Sequence, residues 1–376
     1  MSTLHWTEDH TPRSARWHSE NGTPAPRRTV LADDRTKAAT AHRLAREGTA
    51  LLWRGDYHNA RRLLAAISRR TDRTPSRPGA TLADAFHLER RARGHRARVL
   101  GRLLVLLEDD HTLSLRRAPD VREACRQAYG PPTGPSMVSL RELLGVIGAH
   151  QWRTKGVDVP ALGARIHPHY GVFSPVRGEY VDLVARAPLP PALRHGPGTA
   201  FDLGTGTGVL AAVLARRGVR RVVATDIAPR ALACAEDNVQ RLGLSGRVDV
   251  VGPCLFPEGR AGLVVCNPPW LPARPSSALE QGVYDPDGAM LHGFLAELSD
   301  RLLPGGEGWL VLSDLAEHLG LRTRGQLLGA FEAARLRVAD RIDAAPRHPR
   351  ARDTSDPLHA ARAAETTSLW RLASGE

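Results

Sequence analysis

The sequence predicts an α/β protein with a doubly wound, mostly parallel seven-stranded sheet, preceded by an all-helical domain. Between Thr199 and Ser313, short β-branched runs alternate with Ala- and Leu-rich stretches, as in strand–helix–strand units on a parallel sheet. Residues 37–160 instead carry apolar side chains at helical spacing. We therefore expect a tail without fixed structure (1–36), a helical accessory domain (37–160) and a sheet-containing domain (161–376).

Prolines and clustered charges characterise the first 36 residues, and such a composition predicts disorder. This segment contains no apolar stretch that would indicate a signal peptide. Nowhere does the chain contain the run of about 18 apolar residues that a membrane span requires. The cysteines form no CxxC pair and no metal-ligand spacing with histidine; they are Cys125, Cys234, Cys254 and Cys266. These features predict a reduced, cytoplasmic protein with no metal site.

Positive charge is in excess, with a formal net charge of +12 and a pI near 10.5. Lysine occurs only at Lys37 and Lys155, so nearly all of this charge is arginine. Two explanations remain open. The charge serves a polyanion such as a nucleic acid, or it reflects a GC-rich coding sequence that also enriches Ala, Gly and Pro.

Helical periodicity is the basis for the accessory domain. The apolar residues that define its expected helices are Leu44, Leu51, Leu52 and Trp53 in the first, Ala60, Leu63, Leu64 and Ile67 in the second, Leu88, Ala92, Val99, Leu103 and Leu106 in the third, and residues within 140–150 in the fourth.

Seven strands are expected in the sheet-containing domain. In chain order they lie near Thr199–Leu203, Arg221–Thr225, Val248–Val251, Leu263–Cys266, Gly308–Leu312, Arg335–Asp340 and Thr367–Leu372.

A glycine-rich loop, Asp202–Gly208, closes the first of these strands and opens a helix. Its spacing is G-x-G-x-G rather than the dinucleotide pattern G-x-G-x-x-G, and glycine lets the backbone turn tightly and approach a ligand. Asp226 ends the second strand, so it faces the same pocket and can accept both hydroxyls of a ribose. The alternative role for Asp226 is a helix N-cap ahead of Pro229. The candidate cofactor residues here are Asp202, Gly204, Thr205, Gly206, Gly208, Asp226 and Ile227, the last lying against an adenine face.

The fourth strand runs directly into Asn267, Pro268, Pro269 and Trp270. Consecutive prolines fix the backbone and remove two amide donors. The side-chain oxygen of Asn267 and a neighbouring carbonyl can accept both hydrogens of an NH2 group, and Trp270 offers a flat face for a planar acceptor. The alternative is a rigid loop that ends a strand, with the tryptophan in the core.

These motifs together resemble class I S-adenosylmethionine (SAM)-dependent methyltransferases of the small-domain group. That group includes protein-glutamine (release-factor) enzymes and enzymes that methylate amino groups of rRNA and adenine. The segment Tyr170–Pro175, followed by Arg177, is similar to the part of the family that closes over the methionine moiety of SAM. The resemblance therefore implies that Phe173, Arg177 and Asn267 also contact SAM. It covers residues 165–315 well and the last 60 more loosely.

Two positions depart from the family pattern. Trp270 stands where the glutamine methyltransferases usually have Tyr. Gly252-Pro253 follows the third strand where an acidic residue often binds the adenine amino group. We therefore expect backbone and apolar contacts alone to hold adenine.

The function that this resemblance implies is SAM-dependent methylation of a planar nitrogen, in a protein glutamine amide or a nucleic-acid amino group. The alternatives are methylation of a small-molecule guanidine or amine, which Trp270 could hold by cation–π attraction, and a SAM-binding module without catalysis. The acceptor partner is accordingly a protein, RNA or DNA, or a small molecule. Tyr284, Asp285 and Asp287 form either a flap over the substrate or a plain surface loop.

Overall fold

A computed structural model describes residues 2–72, 79–176, 178–195, 198–275, 279–347 and 349–375. The chain divides into two units by its internal contacts. The first unit comprises Met1–Gly79 and His87–Gln151, and the second unit comprises Ala80–Phe86 and Trp152–Glu376. Within the described ranges, every helix is too short or too polar to cross a bilayer.

Six strands and five helices begin in the N-terminal part of the chain. They are β1 (Thr3–Glu8), β2 (Thr11–Trp17), β3 (Thr29–Ala32), α1 (Ala38–Arg46), β4 (Ala50–Trp53), α2 (Tyr57–Asp72), α3 (Leu82–Leu100), β5 (Leu103–Leu107), α4 (Arg122–Tyr129), β6 (Ser136–Ser139) and α5 (Leu140–Lys155). The strands form one sheet in the order β1-β2-β6-β5-β4-β3, in which β3, β4 and β5 are parallel neighbours.

This sheet makes two sequence expectations wrong. Residues 1–36 are not a tail without structure, because β1, β2 and β3 lie there and Leu4 and Trp6 point into a core. Residues 37–160 are not all-helical, because β4 and β5 occupy stretches that we assigned to helices. All four residues of β4 are buried. A continuous apolar run suits a buried strand as well as a buried helix, and here pairing with strands on both sides decides the outcome.

The remaining elements belong to the second unit. They are β7 (Val157–Val159), β8 (Ala164–Ile166), α6 (Glu179–Arg186), α7 (Ala192–His195), β9 (Thr199–Leu203), α8 (Val209–Arg216), β10 (Arg221–Thr225), α9 (Pro229–Arg241), β11 (Val248–Val251), β12 (Ala261–Cys266), α10 (Ala289–Arg301), β13 (Leu302–Ser313), α11 (Leu315–His318), α12 (Arg324–Ala333), β14 (Leu336–Ala344), α13 (His359–Ala364) and β15 (Thr367–Ser374). Short 3-10 turns occur at Pro160–Leu162, Leu279–Gly282, Pro286–Gly288 and Pro349–Arg352.

Seven of these strands form one sheet in the order β11-β10-β9-β12-β13-β15-β14. Strands β9 to β13 pair in parallel, and β15 is antiparallel to both β13 and β14. The α/β prediction of a doubly wound, mostly parallel seven-stranded sheet is therefore confirmed. The chain winds outward in one direction from β9 to β11 and in the other from β12, so the order of strands reverses between β9 and β12. Such a reversal opens a crevice at the carboxyl ends of the two strands.

Burial explains why the centre of this sheet is rigid. All six residues of β12 are buried, as a strand covered by helices on both faces requires. Helix α8 is apolar almost all round, and its residues from Val209 to Ala215 are all buried. The loop between β9 and α8 therefore starts and ends on fixed elements.

Candidate active site

Three neighbouring strands end level with one another. In register across β10, β9 and β12, the terminal residues are Thr225, Leu203 and Cys266. The residues that follow them are Asp226, Gly204 and Asn267 respectively. Because adjacent strands are about 4.8 Å apart, the two predicted cofactor motifs and the predicted acceptor motif lie side by side at the crevice.

The glycine loop has the backbone that its composition predicts. Gly204, Gly206 and Gly208 have φ values of +66°, +56° and +79°, a left-handed region that other residues rarely adopt. At Gly206 an added Cβ would meet only one atom within 4 Å, the carbonyl oxygen of Gly204 at 4.0 Å. The space beside Gly206 is therefore open to a ligand.

Asp202 supports this loop from inside the protein. Its carboxylate accepts hydrogen bonds from Oγ1 of Thr205 at 2.6 Å and from the amide of Ala211 at 2.9 Å. Burial raises the pKa of Asp202 to about 6, and the nearby charge of Asp226 contributes to this shift. The structure thus places Asp202 where it ties the loop to the first turn of α8, while a direct contact of Asp202 with a cofactor remains a prediction.

Asp226 lies at the rim of the loop. One carboxylate oxygen accepts the amide of Gly206 at 3.1 Å and the other accepts the amide of Ala228 at 2.9 Å. Ala228, not Asp226, is the N-cap of α9. Each carboxylate oxygen can accept a second hydrogen bond, so both can also receive ribose hydroxyls. Burial raises the pKa of Asp226, and the side chain of Ile227 beside it is 72% exposed.

The end of β11 approaches this region too closely for a side chain. A Cβ on Gly252 would lie 2.6 Å from the carbonyl oxygen of Asp226 and 2.8 Å from Cδ1 of Leu232. This contact gives a physical reason why the acidic residue expected there by family resemblance is missing.

The segment before Phe173 is anchored to α9. The amide of His167 donates to Oδ1 of Asn238 at 2.7 Å, and Nε2 of His169 lies 3.1 Å from a carboxylate oxygen of Asp237. Phe173 itself is half-buried, and a Cβ on Gly282 would lie 2.8 Å from its Cβ. Arg177, which the resemblance implies as a cofactor contact, lies outside the described residues.

Asn238 was not among the predicted site residues. It is buried, and its Nδ2 donates to the carbonyl oxygens of Thr207 at 3.1 Å and His167 at 3.2 Å. It therefore joins the glycine loop to the segment before Phe173. The sequence does place this asparagine on the otherwise small, apolar face of α9. Because a buried amide needs hydrogen-bond partners, that position could have indicated a structural role.

The acceptor loop contains a hydrogen bond between two of its own side chains. Nε1 of Trp270 donates to Oδ1 of Asn267 at 2.9 Å. Both residues are half-buried, Pro268 is buried, and Trp270 packs against the core clusters on both faces of the sheet. The oxygen that we expected to receive an acceptor NH2 group already accepts one hydrogen bond, and it can accept one more.

The stretch after the acceptor loop is fixed rather than free. Tyr284 pairs with Leu271, and the carboxylate of Asp285 accepts the amides of Met290 at 3.0 Å and Leu291 at 3.1 Å. Tyr284 and Asp285 are both buried. Asp285 therefore caps the start of α10 and is not part of a plain surface loop.

Comparison with known proteins agrees with this geometry. Residues 163–337 match the family described as "MTS: Methyltransferase small domain". The chain is 38% identical over 146 residues to a ribosomal protein L11 methyltransferase of Pelotomaculum thermopropionicum, covering 38% of this chain and 40% of that protein. It is 36% identical over 161 residues to a release factor glutamine methyltransferase of Cereibacter sphaeroides, covering 41% and 54%.

A third relative is the release factor glutamine methyltransferase of Bordetella pertussis, 40% identical over 125 residues, covering 29% of this chain and 46% of that protein. The chain thus spans about half or less of the length of these curated relatives. The matched segment contains the glycine loop, Asp226 and the acceptor loop. Residues 163–337 of this chain therefore match the methyltransferase small-domain family, and the relatives that share this segment are methyltransferases.

Proposed function

We propose that this protein is a SAM-dependent N-methyltransferase that acts on a planar nitrogen, in a protein glutamine amide or a nucleic-acid amino group. One observation carries the proposal. The Asn-Pro-Pro-Trp loop begins one residue beyond Cys266, and Cys266 lies in register with Leu203, the residue before Gly204 in the glycine loop. A donor held by the glycine loop and an acceptor held by Asn267 would therefore share one cleft.

The residues present fit SAM. The open space at Gly206 accommodates a close ligand, and the free lone pairs of Asp226 suit the two hydroxyls of a ribose. The exposed side chain of Ile227 offers an apolar surface for adenine, while Gly252 leaves no acidic group there. The resemblance puts Phe173 beside the methionine moiety.

On the acceptor side, SAM supplies a methyl group on a positively charged sulfur, which is already a good leaving group. The protein therefore has to orient the acceptor more than to activate the donor. The second lone pair of Oδ1 of Asn267 can accept one N–H of the planar group, and the indole of Trp270 holds that oxygen in place. Holding the N–H bonds out of conjugation would free the nitrogen lone pair to accept the methyl group as the sulfur leaves, and the nitrogen would release its proton after the transfer.

The names of the relatives support one class of acceptor. They refer to ribosomal protein L11 and to glutamine in release factors, and both kinds of protein belong to translation. We therefore place the acceptor of this chain in the translation machinery, as a protein amide or an RNA amino group. Free cysteines at Cys125, Cys234 and Cys266, all buried, suit a reducing compartment, and we propose a cytoplasmic location.

The test is methyl transfer from radiolabelled SAM into a fractionated cell extract, with wild-type protein and Asn267→Ala in parallel. We expect label in protein or RNA with the wild type, and a large drop in that label with Asn267→Ala at a SAM concentration that saturates both proteins. Label confined to small molecules would favour the guanidine or amine alternative. Bound SAM with no transfer to any fraction would favour a non-catalytic module.

A further inference from the structure

The net charge of the chain is not shared equally between the two units. The first unit has 26 Arg and Lys against 15 Asp and Glu, a net charge of +11, whereas the second has 26 against 25, a net charge of +1. The first unit reaches its 26 basic residues within 144 residues and the second within 232, whereas a GC-rich coding sequence would enrich arginine evenly along the chain. Charge asymmetry of this kind is typical of a unit that binds a polyanion.

Helices α1, α2 and α3 bring part of this charge together. His42 and Arg46 are one turn apart on α1, Arg70 lies near the end of α2, and His95 lies on α3. Helix α1 packs on α2, and Nε of Arg96, next to His95, lies 3.0 Å from Asp72 at the end of α2. The packing of α1 on α2 brings His42 near these charges, and burial together with the charges of Arg46, Arg70 and His95 lowers the pKa of His42. We call these four side chains the basic cluster.

Nearby carboxylates do not neutralise the basic cluster. Each acidic side chain in this part of the three helices already pairs with a different arginine. These pairs are Glu47 with Arg43, Asp72 with Arg96, and Glu89 with Arg93.

The side chains of the basic cluster are not paired with other residues in the part of the chain that the structure describes. Across the described ranges, Arg46, Arg70 and His95 make no side-chain hydrogen bond or ion pair, and Nε2 of His42 is buried without a partner. Arg46 and Arg70 are therefore available to bind an anion.

We propose that the basic cluster is a docking site for the phosphate backbone of RNA. Arginine forms forked hydrogen bonds with phosphate oxygens, and Arg46 and Arg70 on two packed helices can contact successive phosphates of one strand. The choice of RNA rests on the proposed function, because an acceptor in the translation machinery is surrounded by RNA. A membrane surface fits less well, since the exposed large hydrophobic residues of the described chain include none on α1 or α2.

The test compares two double variants of the full-length protein that remove the same charge. Arg46→Gln/Arg70→Gln changes the basic cluster. Arg122→Gln/Arg126→Gln changes two exposed arginines on α4 that are paired with Asp120 and Glu123. Fluorescence anisotropy with a labelled RNA duplex, at several salt concentrations, gives the affinity of each.

We expect the cluster variant to bind RNA about tenfold or more weakly and to lower the slope of log K against log salt by about one to two. The control should stay within about twofold of the wild type, and a DNA duplex of the same sequence should bind the wild type more weakly than RNA. Equal losses in both variants, no RNA binding by the wild type, a preference for DNA, or equal binding to anionic lipid vesicles would overturn the proposal. SAM affinity is measured on the same samples, because SAM binding does not depend on the basic cluster. It therefore separates a failure of RNA docking from a failure of the proposed function.

Discussion

Nε1 of Trp270 donates a hydrogen bond of 2.9 Å to Oδ1 of Asn267 inside the acceptor loop. Only the oxygen of the asparagine amide can accept this bond, so the indole fixes which end of the amide faces it. The indole is in turn held by packing against the cores on both faces of the sheet. A tryptophan at this position therefore acts as a positioning residue for Asn267, besides offering a flat surface.

Replacing Trp270 with Phe tests this role. Phe keeps an aromatic ring and removes the N–H donor, so we expect methyl transfer into the labelled fraction to slow about tenfold, with SAM affinity unchanged within about twofold. In an Asn267→Ala background the same replacement should cause little further loss, because residues that act as one unit are not additive. Full additivity of the two losses would show that Trp270 does not act through Asn267.

Gly206→Ala tests whether the open space in the glycine loop receives SAM. The change should cost about 1 kcal/mol of stability because φ is +56°, and SAM affinity should fall at least about tenfold because the methyl group enters that space. Gly218→Ala is the matched control. Its φ is +94°, an added Cβ has no neighbour within 4 Å, and it lies in the turn between α8 and β10. Similar SAM affinities for both variants, measured by calorimetry, would argue against this location for the cofactor.

Asp202→Asn tests the pH dependence of stability. Burial raises the pKa of Asp202 from 3.8 to about 6, so between these values the folded protein keeps a proton that the unfolded chain has lost. This group therefore makes the free energy of unfolding fall as pH rises from about 4 to about 6. The free energy of unfolding of Asp202→Asn minus that of the wild type, measured with urea, should therefore rise by on the order of 2 kcal/mol between pH 4 and pH 7. A difference that does not change with pH would contradict the raised pKa.

Deleting residues 2–36 tests the sheet of the first unit. The deletion removes β1, β2 and β3, half of a six-stranded sheet, together with the buried side chains of Leu4, Trp6 and Ala32. We expect the shortened protein to lose cooperative unfolding of this unit and to aggregate, because the edges of β4 and β6 become exposed. Unchanged thermal unfolding would mean that these strands contribute little. A disordered segment, as its composition predicted, could be removed without loss of stability, whereas the strands in the structure predict that stability is lost.

The seven-stranded sheet was predictable because each of its central strands ends at a recognisable boundary. β9 is followed by the glycine loop, and β12 is followed by two prolines that cannot continue a strand. The alternation with helices then indicates a parallel sheet. Three of the predicted strand ranges, from Thr199 to Val251, match those observed.

The first unit was not predictable in the same way. Leu51, Leu52 and Trp53 continue the helical spacing of Leu44, and only the pairing of β4 with β3 and β5 shows that the run is a strand. Long-range pairing of this kind leaves no local mark in one sequence. The hydrogen bond between Trp270 and Asn267 also could not be predicted from the sequence, because it depends on the rotamers of two side chains.

A crystal structure with sinefungin, a SAM analogue that carries an amine in place of the reactive methyl group, tests the shared cleft most directly. We predict that the ribose hydroxyls lie within hydrogen-bond distance of the Asp226 carboxylate and that the amine faces Oδ1 of Asn267. An analogue whose ribose lies away from Asp226, or whose amine faces away from Asn267, would contradict the account.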